Sequence, residues 1–184
     1  SSNSNDSSSR ENMIRRIAIR TASFKALGQT LKKVSLWLSP KASAWLVKIN
    51  SNDIVGNIVY PDNLKKDYIV GKFQKLELND MPATKSTAAG NKIAFDPTTM
   101  PNLDITADIF KYGKTTLNGL HFKGHAIKNG TMTGIKADVL DLSSNEITLK
   151  SAASWTIVGK KQNTTISGTA NVNDLGKVLN DWDV

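Results

Sequence analysis

The sequence predicts a mainly β protein built from antiparallel meanders, with a short helix at its C-terminal end. Apolar residues alternate with polar ones in many short segments, as at Val34, Leu36 and Leu38, and this is the period of a strand with one buried face. Polar or glycine-containing turns separate the segments, and the Asn129-Gly130 pair between two of them is a strong hairpin signal. The chain of 184 residues also repeats itself, which indicates two similar β units.

The repeat has a fixed offset of 86 residues without gaps, which pairs Phe24 with Phe110 and Leu31 with Leu117. An amphipathic helix is the competing interpretation of the first copy, because its apolar residues also recur at helical three-four spacing. These residues are Phe24, Leu27, Leu31, Val34 and Leu38. The second copy argues against a helix, since its equivalent segment is rich in glycine and threonine, which are poor helix formers.

These patterns divide the chain into five parts. Residues 1–13 are rich in Ser and Asn with almost nothing to bury, so we expect disorder there. Residues 14–80 form a first β unit, and residues 81–102, which hold three of the five prolines, form a connection. A second β meander occupies residues 103–173, and residues 174–184 form the short helix. The apolar face of that helix would consist of Leu175, Val178, Leu179 and Trp182.

The net charge of +8 lies entirely in the first half of the chain. Residues 1–92 contain 15 Lys plus Arg against 7 Asp plus Glu, whereas residues 93–184 contain 9 against 9. The basic residues are scattered along strands and turns without interleaved aromatic residues, so we expect a solvated strand face and no nucleic-acid partner. The chain has no cysteine, which excludes disulfides, and no apolar run long enough for a membrane-spanning helix.

Catalytic and nucleotide-binding motifs are weak. Gly113-Lys114-Thr115 resembles the end of a phosphate-binding loop, but Asp108 occupies the position where that loop needs its first glycine. His121 and His125 would lie roughly 13 Å apart on a strand, which is too far to share a metal ion. The same spacing separates the carboxylates of Asp104 and Asp108. We therefore predict no enzymatic activity, no cofactor and no metal site.

One family resembles the chain in the order of its short motifs. The segment PNLDITADIFKYGKTTLNGLHFKGHAIKNG joins an apolar-Asp-apolar strand, an aromatic-Lys-aromatic-Gly turn and a long outgoing strand. The segments WLVKINSNDIVGNIVYP, GKFQKLEL, SWT and TTISGTANVNDLGKVLNDW complete the pattern across residues 14–184. Together they resemble a repeated element of the YhdP-like branch of the AsmA/TamB superfamily. The chain departs from many members in being rich in Lys and Asn where they carry Arg and Gly.

The resemblance implies a fold and a function. The antiparallel meanders would form a curved, taco-like β sheet with a hydrophobic groove, and flanking β units of a longer chain would extend it. The groove would shield phospholipid acyl chains during transport between the inner and outer membranes of Gram-negative bacteria. This chain would be a periplasmic piece from near the C-terminal end of an inner-membrane-anchored protein, and it would contact membranes only through parts that it lacks.

Thirteen apolar residues are the candidates for the wall of the groove, where they would contact acyl chains without performing chemistry. They are Ile105, Phe110, Leu120, Phe122, Ile135, Ile147, Leu149 and Trp155 in the second unit, with Ile17, Ile19, Leu36, Val47 and Ile49 in the first. A structural or protein-interaction β domain with a closed core is the alternative, because every β-sandwich contains such residues. A hydrolase would need convergent carboxylates, whereas acids such as Asp138, Asp141 and Glu146 are scattered.

Overall fold

A computed structural model describes residues 16–26, 29–79 and 97–173, together with Gly176. Within these residues the chain forms eleven strands and one 3₁₀ turn at Pro97–Thr99. The strands are β1 (Ile17–Ala26), β2 (Gln29–Lys41), β3 (Ala44–Asn50), β4 (Ile54–Pro61), β5 (Ile69–Leu78), β6 (Leu103–Tyr112), β7 (Thr115–Leu117), β8 (Gly119–Asn129), β9 (Met132–Ser143), β10 (Ile147–Val158) and β11 (Lys161–Val172). The segment 1–13, for which we predict disorder, lies outside the described residues. So does the predicted C-terminal helix, except for Gly176, which is helical.

All of the described strands join one open, curved sheet, which confirms the mainly β fold with antiparallel meanders. The strand order is β1-β2-β3-β4-β5-β6-β8-β9-β10-β11, and the short β7 pairs with β6. Neighbouring strands are antiparallel with one exception, because β5 and β6 run parallel where the two meanders meet. A parallel pair needs a long crossover connection, and the chain between Leu78 and Leu103 supplies it.

The repeat of 86 residues is also a repeat of structure. The first strand of one copy, Ile17–Ala26, corresponds residue for residue to Leu103–Tyr112 in the other. The long strand β2 corresponds to β7 followed by β8, with Lys33 at the position of Gly119. Both copies are therefore a strand, a two-residue connection and a second strand, and the helical interpretation of the first copy is excluded.

A bend crosses the long strands and explains the helical spacing in the sequence. Lys33 has a positive φ of 53°, and around it the alternation of side chains shifts by one residue. As a result Leu31 and Val34, three residues apart, are both fully buried. The same three-residue step separates the buried residues Phe73 and Leu76 in β5, where the pairing with β4 slips by one residue. Such slips increase the local twist and bend of a sheet.

The core lies along this bend. There, β2 and β5 approach each other although β3 and β4 separate them in the strand order. The buried residues of the core are Leu31, Val34, Ile54, Phe73, Leu76 and Ala107. Beyond the short β3–β4 hairpin, the Gln29 side chain joins β2 to β5, donating to the carbonyl of Glu77 at 2.8 Å and accepting from the amide of Asn79. The sheet thus curves around this cluster, and we infer that the face carrying the cluster is the concave one.

Candidate functional site

The strand register sorts the side chains onto two faces, because directly opposed residues of paired strands point to the same side. We call the face that carries Ile105 the apolar face and the face that carries Asp104 the charged face. From Ile105 the pairing continues through Phe122 in one direction and Gly71 in the other. The pairing extends in this way to both edges of the sheet, so each strand residue can be assigned to one of the two faces.

All thirteen of the apolar residues predicted from the sequence lie on the apolar face. Nine of them belong to two adjacent rows that cross the sheet perpendicular to its strands. One row contains Ile17, Val47, Ile105 and Phe122, and the other contains Ile19, Leu36, Ile49, Leu120 and Leu149. The remaining four also lie on this face: Ile135 pairs with Trp155, Ile147 pairs with Val172, and Phe110 pairs with Leu117 beyond the bend.

The apolar face is open over much of its area. All described strands belong to one sheet, so within the described residues no second sheet packs against this face. Ile17 and Ile19 are 37% and 44% exposed near one edge, and Ile166 on β11 is 58% exposed at the other. Trp155 is half-buried next to it, and its indole N–H donates to Gln162 at 3.4 Å. A closed sandwich core would bury such residues, whereas here they remain accessible to a ligand.

Sequence reasoning missed other members of the same two rows. Leu140 and Leu142 were missed because β9 contains an irregularity near Asp138, after which the alternation changes phase. Phe73 was missed as a groove residue for the same reason in β5. One sequence signal indicates such a shift: two apolar residues three positions apart in a strand that otherwise alternates. Ala137 and Leu140 are an example.

Small residues leave room for large ones on the apolar face. The ring of Phe73 lies over both Gly56 and Gly71, and a Cβ added at either glycine would come within 2.6 Å of that ring. The Ile105 side chain also closes over Gly71, within 2.7 Å of such a Cβ. These glycines therefore let aromatic and branched side chains lie flat against the sheet.

The charged face carries the ion pairs found among the described residues. Asp104 contacts the imidazole of His121 at 3.0 Å and the ammonium of Lys123 at 3.7 Å. Asp138 forms an equivalent cluster with Lys136 at 2.9 Å and His125 at 3.3 Å. The hydrogen bond from Lys136, with the positive charge of Lys136 and the contact to His125, lowers the pKa of Asp138. Glu77, at the parallel junction, pairs with Lys75 and Lys111.

A comparison with known protein families identifies the family of the chain. The family model described as YhdP protein matches residues 1–184. The chain belongs to the YhdP family. No curated protein and no solved structure matches the chain. Membership confirms the resemblance to the YhdP-like branch of the AsmA/TamB superfamily that the motifs indicate, and it covers the whole length of the chain.

Among the described residues, the histidines of the charged face lie in two separate ion-pair clusters. His121 and His125 bind different aspartates, so each histidine belongs to its own ion-pair cluster. No group of three or more His, Cys, Asp or Glu side chains in the described ranges could hold a metal ion. Gly113 and Lys114 form the turn between β6 and β7, and Gly113 has the positive φ of 56° that such a turn requires. In that same part of the chain, no helix has the length and apolar character needed to cross a membrane.

Proposed function

We propose that this chain is a non-catalytic segment of an AsmA-like protein of the bacterial envelope, and that it shields phospholipid acyl chains on its apolar face while they move between the inner and outer membranes. The observation that carries the proposal is the segregation of the two faces. Thirteen large apolar residues from seven strands share one side of a single open sheet, and the ion pairs of the described residues lie on the other.

The physical argument concerns water. An acyl chain exposed in an aqueous compartment has the same hydration cost as an apolar side chain, about 25 cal/mol per Å² of accessible surface. The apolar face would remove one side of the acyl chain from contact with water. The curvature of the sheet around the buried cluster would cover more of the acyl chain. No step of this process needs a nucleophile, an acid or a cofactor, because the lipid is moved without a change in its bonds.

The edges of the sheet support an assembly with flanking β units. Among the described strands, β1 and β11 each have one neighbour in the sheet, so within this part of the chain the other side of each strand has no strand partner. All twelve residues of β11 are exposed. Flanking units of a longer periplasmic chain would pair with these edges and continue the rows of apolar residues, so that lipid passes from one unit to the next.

The first test is native mass spectrometry with lipid extraction on the chain purified from a Gram-negative host. We expect phospholipid to copurify with the unmodified chain. Ile166→Asp and Ile19→Asp should reduce the bound lipid, because each places a carboxylate on an exposed part of the apolar face. The matched controls are Ser167→Asp and Ala18→Asp, the neighbouring positions on the charged face. Circular dichroism would verify that all four variants keep their strands.

A second test locates the lipid on one face. Trp155 lies on the apolar face and Trp37 on the charged face, where it pairs with Lys48. In variants that keep a single tryptophan, the others being replaced by Phe, lipids with brominated acyl chains should quench the fluorescence of Trp155 and not that of Trp37. Equal quenching of both, or absence of lipid from the unmodified chain, would contradict the proposal and favour a structural or protein-interaction β domain.

A further inference from the structure

Lysines gather at one end of the strands. The connections β2–β3, β4–β5, β8–β9 and β10–β11 all lie at this end, because the strands that they join are antiparallel neighbours. Each of the four carries at least one lysine in the turn or within two residues of it, and we call this end the lysine edge. Its lysines are Lys41, Lys65, Lys66, Lys128, Lys160 and Lys161. They are all exposed, and none forms an ion pair with another described residue.

The acids of the lysine edge do not balance these charges. Asp62 and Asp67 lie in the β4–β5 connection together with Lys65 and Lys66, so the net charge of this connection is zero. At the opposite end of the strands, Asp53 and Glu146 lie in the connections β3–β4 and β9–β10, and Glu77 lies near the end of β5. The lysine edge therefore keeps a net positive charge, whereas acids offset part of the lysine charge at the opposite end, as where Glu77 pairs with Lys75 and Lys111.

Lys128 ties the lysine edge to the apolar face. It pairs with Thr133 across the β8–β9 hairpin, and this pair belongs to the apolar side of the register. Among the described strand residues on that side, Lys128 is the one charged residue. A lysine stem can lie along apolar surface while its ammonium reaches water. From Lys128 the apolar side of β8 continues along the strand through Ala126, Gly124 and Phe122.

The four connections form a periodic row. Strands in a sheet are spaced by about 4.8 Å, so neighbouring lysine-bearing connections lie roughly 10 to 14 Å apart along the edge. A lysine ammonium is a point charge with three donors, which suits a phosphate approached from varied directions. The edge would thus offer several equivalent and individually weak contacts, which allows an anionic group to leave one contact for the next.

We propose that the lysine edge binds the phosphate of anionic phospholipid headgroups whose acyl chains lie on the apolar face. The inference rests on the proposed function and adds an orientation to it: the headgroups lie at the end of the strands that carries the β8–β9 hairpin, and the acyl chains run from there across the sheet. It also adds a selectivity, because a lipid without a headgroup charge gains nothing from the lysines.

The test measures binding of fluorescently labelled phosphatidylglycerol and of diacylglycerol with the same acyl chains to the full chain. Phosphatidylglycerol should bind more tightly, by about fivefold for each lysine within reach of its phosphate. The double variants Lys160→Glu/Lys161→Glu and Lys41→Glu/Lys65→Glu should reduce this preference and leave diacylglycerol binding unchanged, because none of these four lysines lies on the apolar face. The control Lys25→Glu/Lys114→Glu changes the net charge equally at the opposite end and should keep the preference.

Two further measurements separate the possible outcomes. Excess inorganic phosphate should compete weakly with phosphatidylglycerol and not at all with diacylglycerol; strong competition would make the edge a site for free phosphate and overturn the headgroup assignment. If the control variant lost the preference to the same extent, net charge alone would explain the preference, and the headgroup assignment would be overturned. If neither lipid binds the unmodified chain, the proposed function fails together with this inference, whereas equal binding of both lipids refutes the inference alone.

Discussion

The two β units share a repeat but differ in how much of the apolar face they bury. In β1–β5 the side chains near the bend are almost inaccessible, with Leu31 at 0% and Val34 at 1%, although the edge strand β1 keeps large exposed residues on this face, such as Ile19 at 44%. In β6–β11 the same face becomes progressively more exposed towards β11, where Ile166 is 58% exposed. Both units have the same alternation of apolar residues, so alternation alone does not decide burial. Curvature decides it, because in a single sheet side chains are enclosed only where the sheet bends around them.

This difference also separates stability from function. The first unit and the junction hold the buried cluster, which would keep the sheet curved. The second unit offers accessible apolar surface, which is costly to leave in water unless something covers it. We therefore expect substitutions near the bend to change the free energy of unfolding, and substitutions towards β11 to change lipid binding with little effect on stability.

The largest effect is expected from Leu31→Ala. Leu31 is fully buried beside Val34, so the substitution should lower the free energy of unfolding by about 2 to 5 kcal/mol through lost apolar contacts and a residual cavity. Ile166→Ala on the exposed end of the face should change it by less than about 0.5 kcal/mol. Urea denaturation followed by circular dichroism measures both. Similar effects of the two substitutions would contradict the division between a packed bend and an open end.

A smaller effect is expected from Gly56→Ala, which tests the close packing near the bend. The added Cβ would lie 2.5 Å from the backbone oxygen of Lys72 and 2.6 Å from the Phe73 ring, so one of them must move. Such overpacking costs about 1 to 3 kcal/mol. The control is Asn57→Ala, the next residue on the charged face. Unchanged stability of Gly56→Ala in urea denaturation would mean that the Phe73 ring can leave the glycines at no cost.

How much of this organisation could be predicted depended on the length of each pattern. Alternation over several residues predicted the strands, and the thirteen apolar residues that it selected share one face. The bend was hidden because a shift of one residue breaks the period of two, and Leu31 with Val34 then imitates a helix. The parallel pairing of β5 with β6 left no signal at all, since pairing between distant segments depends on the crossover between them and not on the pattern of either strand.

Lys33→Gly tests whether the bend stores strain in the first unit. Lys33 has a φ of 53°, which costs a residue with a Cβ about 1 to 2 kcal/mol. We expect the substitution to raise the free energy of unfolding, by up to about 1 kcal/mol after the greater freedom of glycine in the unfolded chain is included. Lys32→Gly, next to it, should lower stability. A Lys33→Gly variant that is less stable than the unmodified chain would show that the lysine side chain stabilises the bend.

The smallest effect concerns the charged face of the second unit, where ion pairs replace apolar packing. The pKa of Asp138 is lowered in the folded chain, chiefly by its hydrogen bond from Lys136, so the folded state is favoured at pH values above the unfolded pKa of about 4. This contribution is lost as the pH falls through the lower, folded pKa. Because the side chains of Asp138 and Lys136 are 35% and 53% exposed, Asp138→Asn should cost no more than about 0.5 kcal/mol near pH 7, and this cost should decrease as the pH falls. The control is Asp108→Asn, at an exposed position without an ion pair among the described residues, which should leave the stability near pH 7 unchanged. If Asp138→Asn were as costly as Gly56→Ala, the ion pairs of the second unit would stabilise the sheet as strongly as the packing of the first, and the division between the two units would fail.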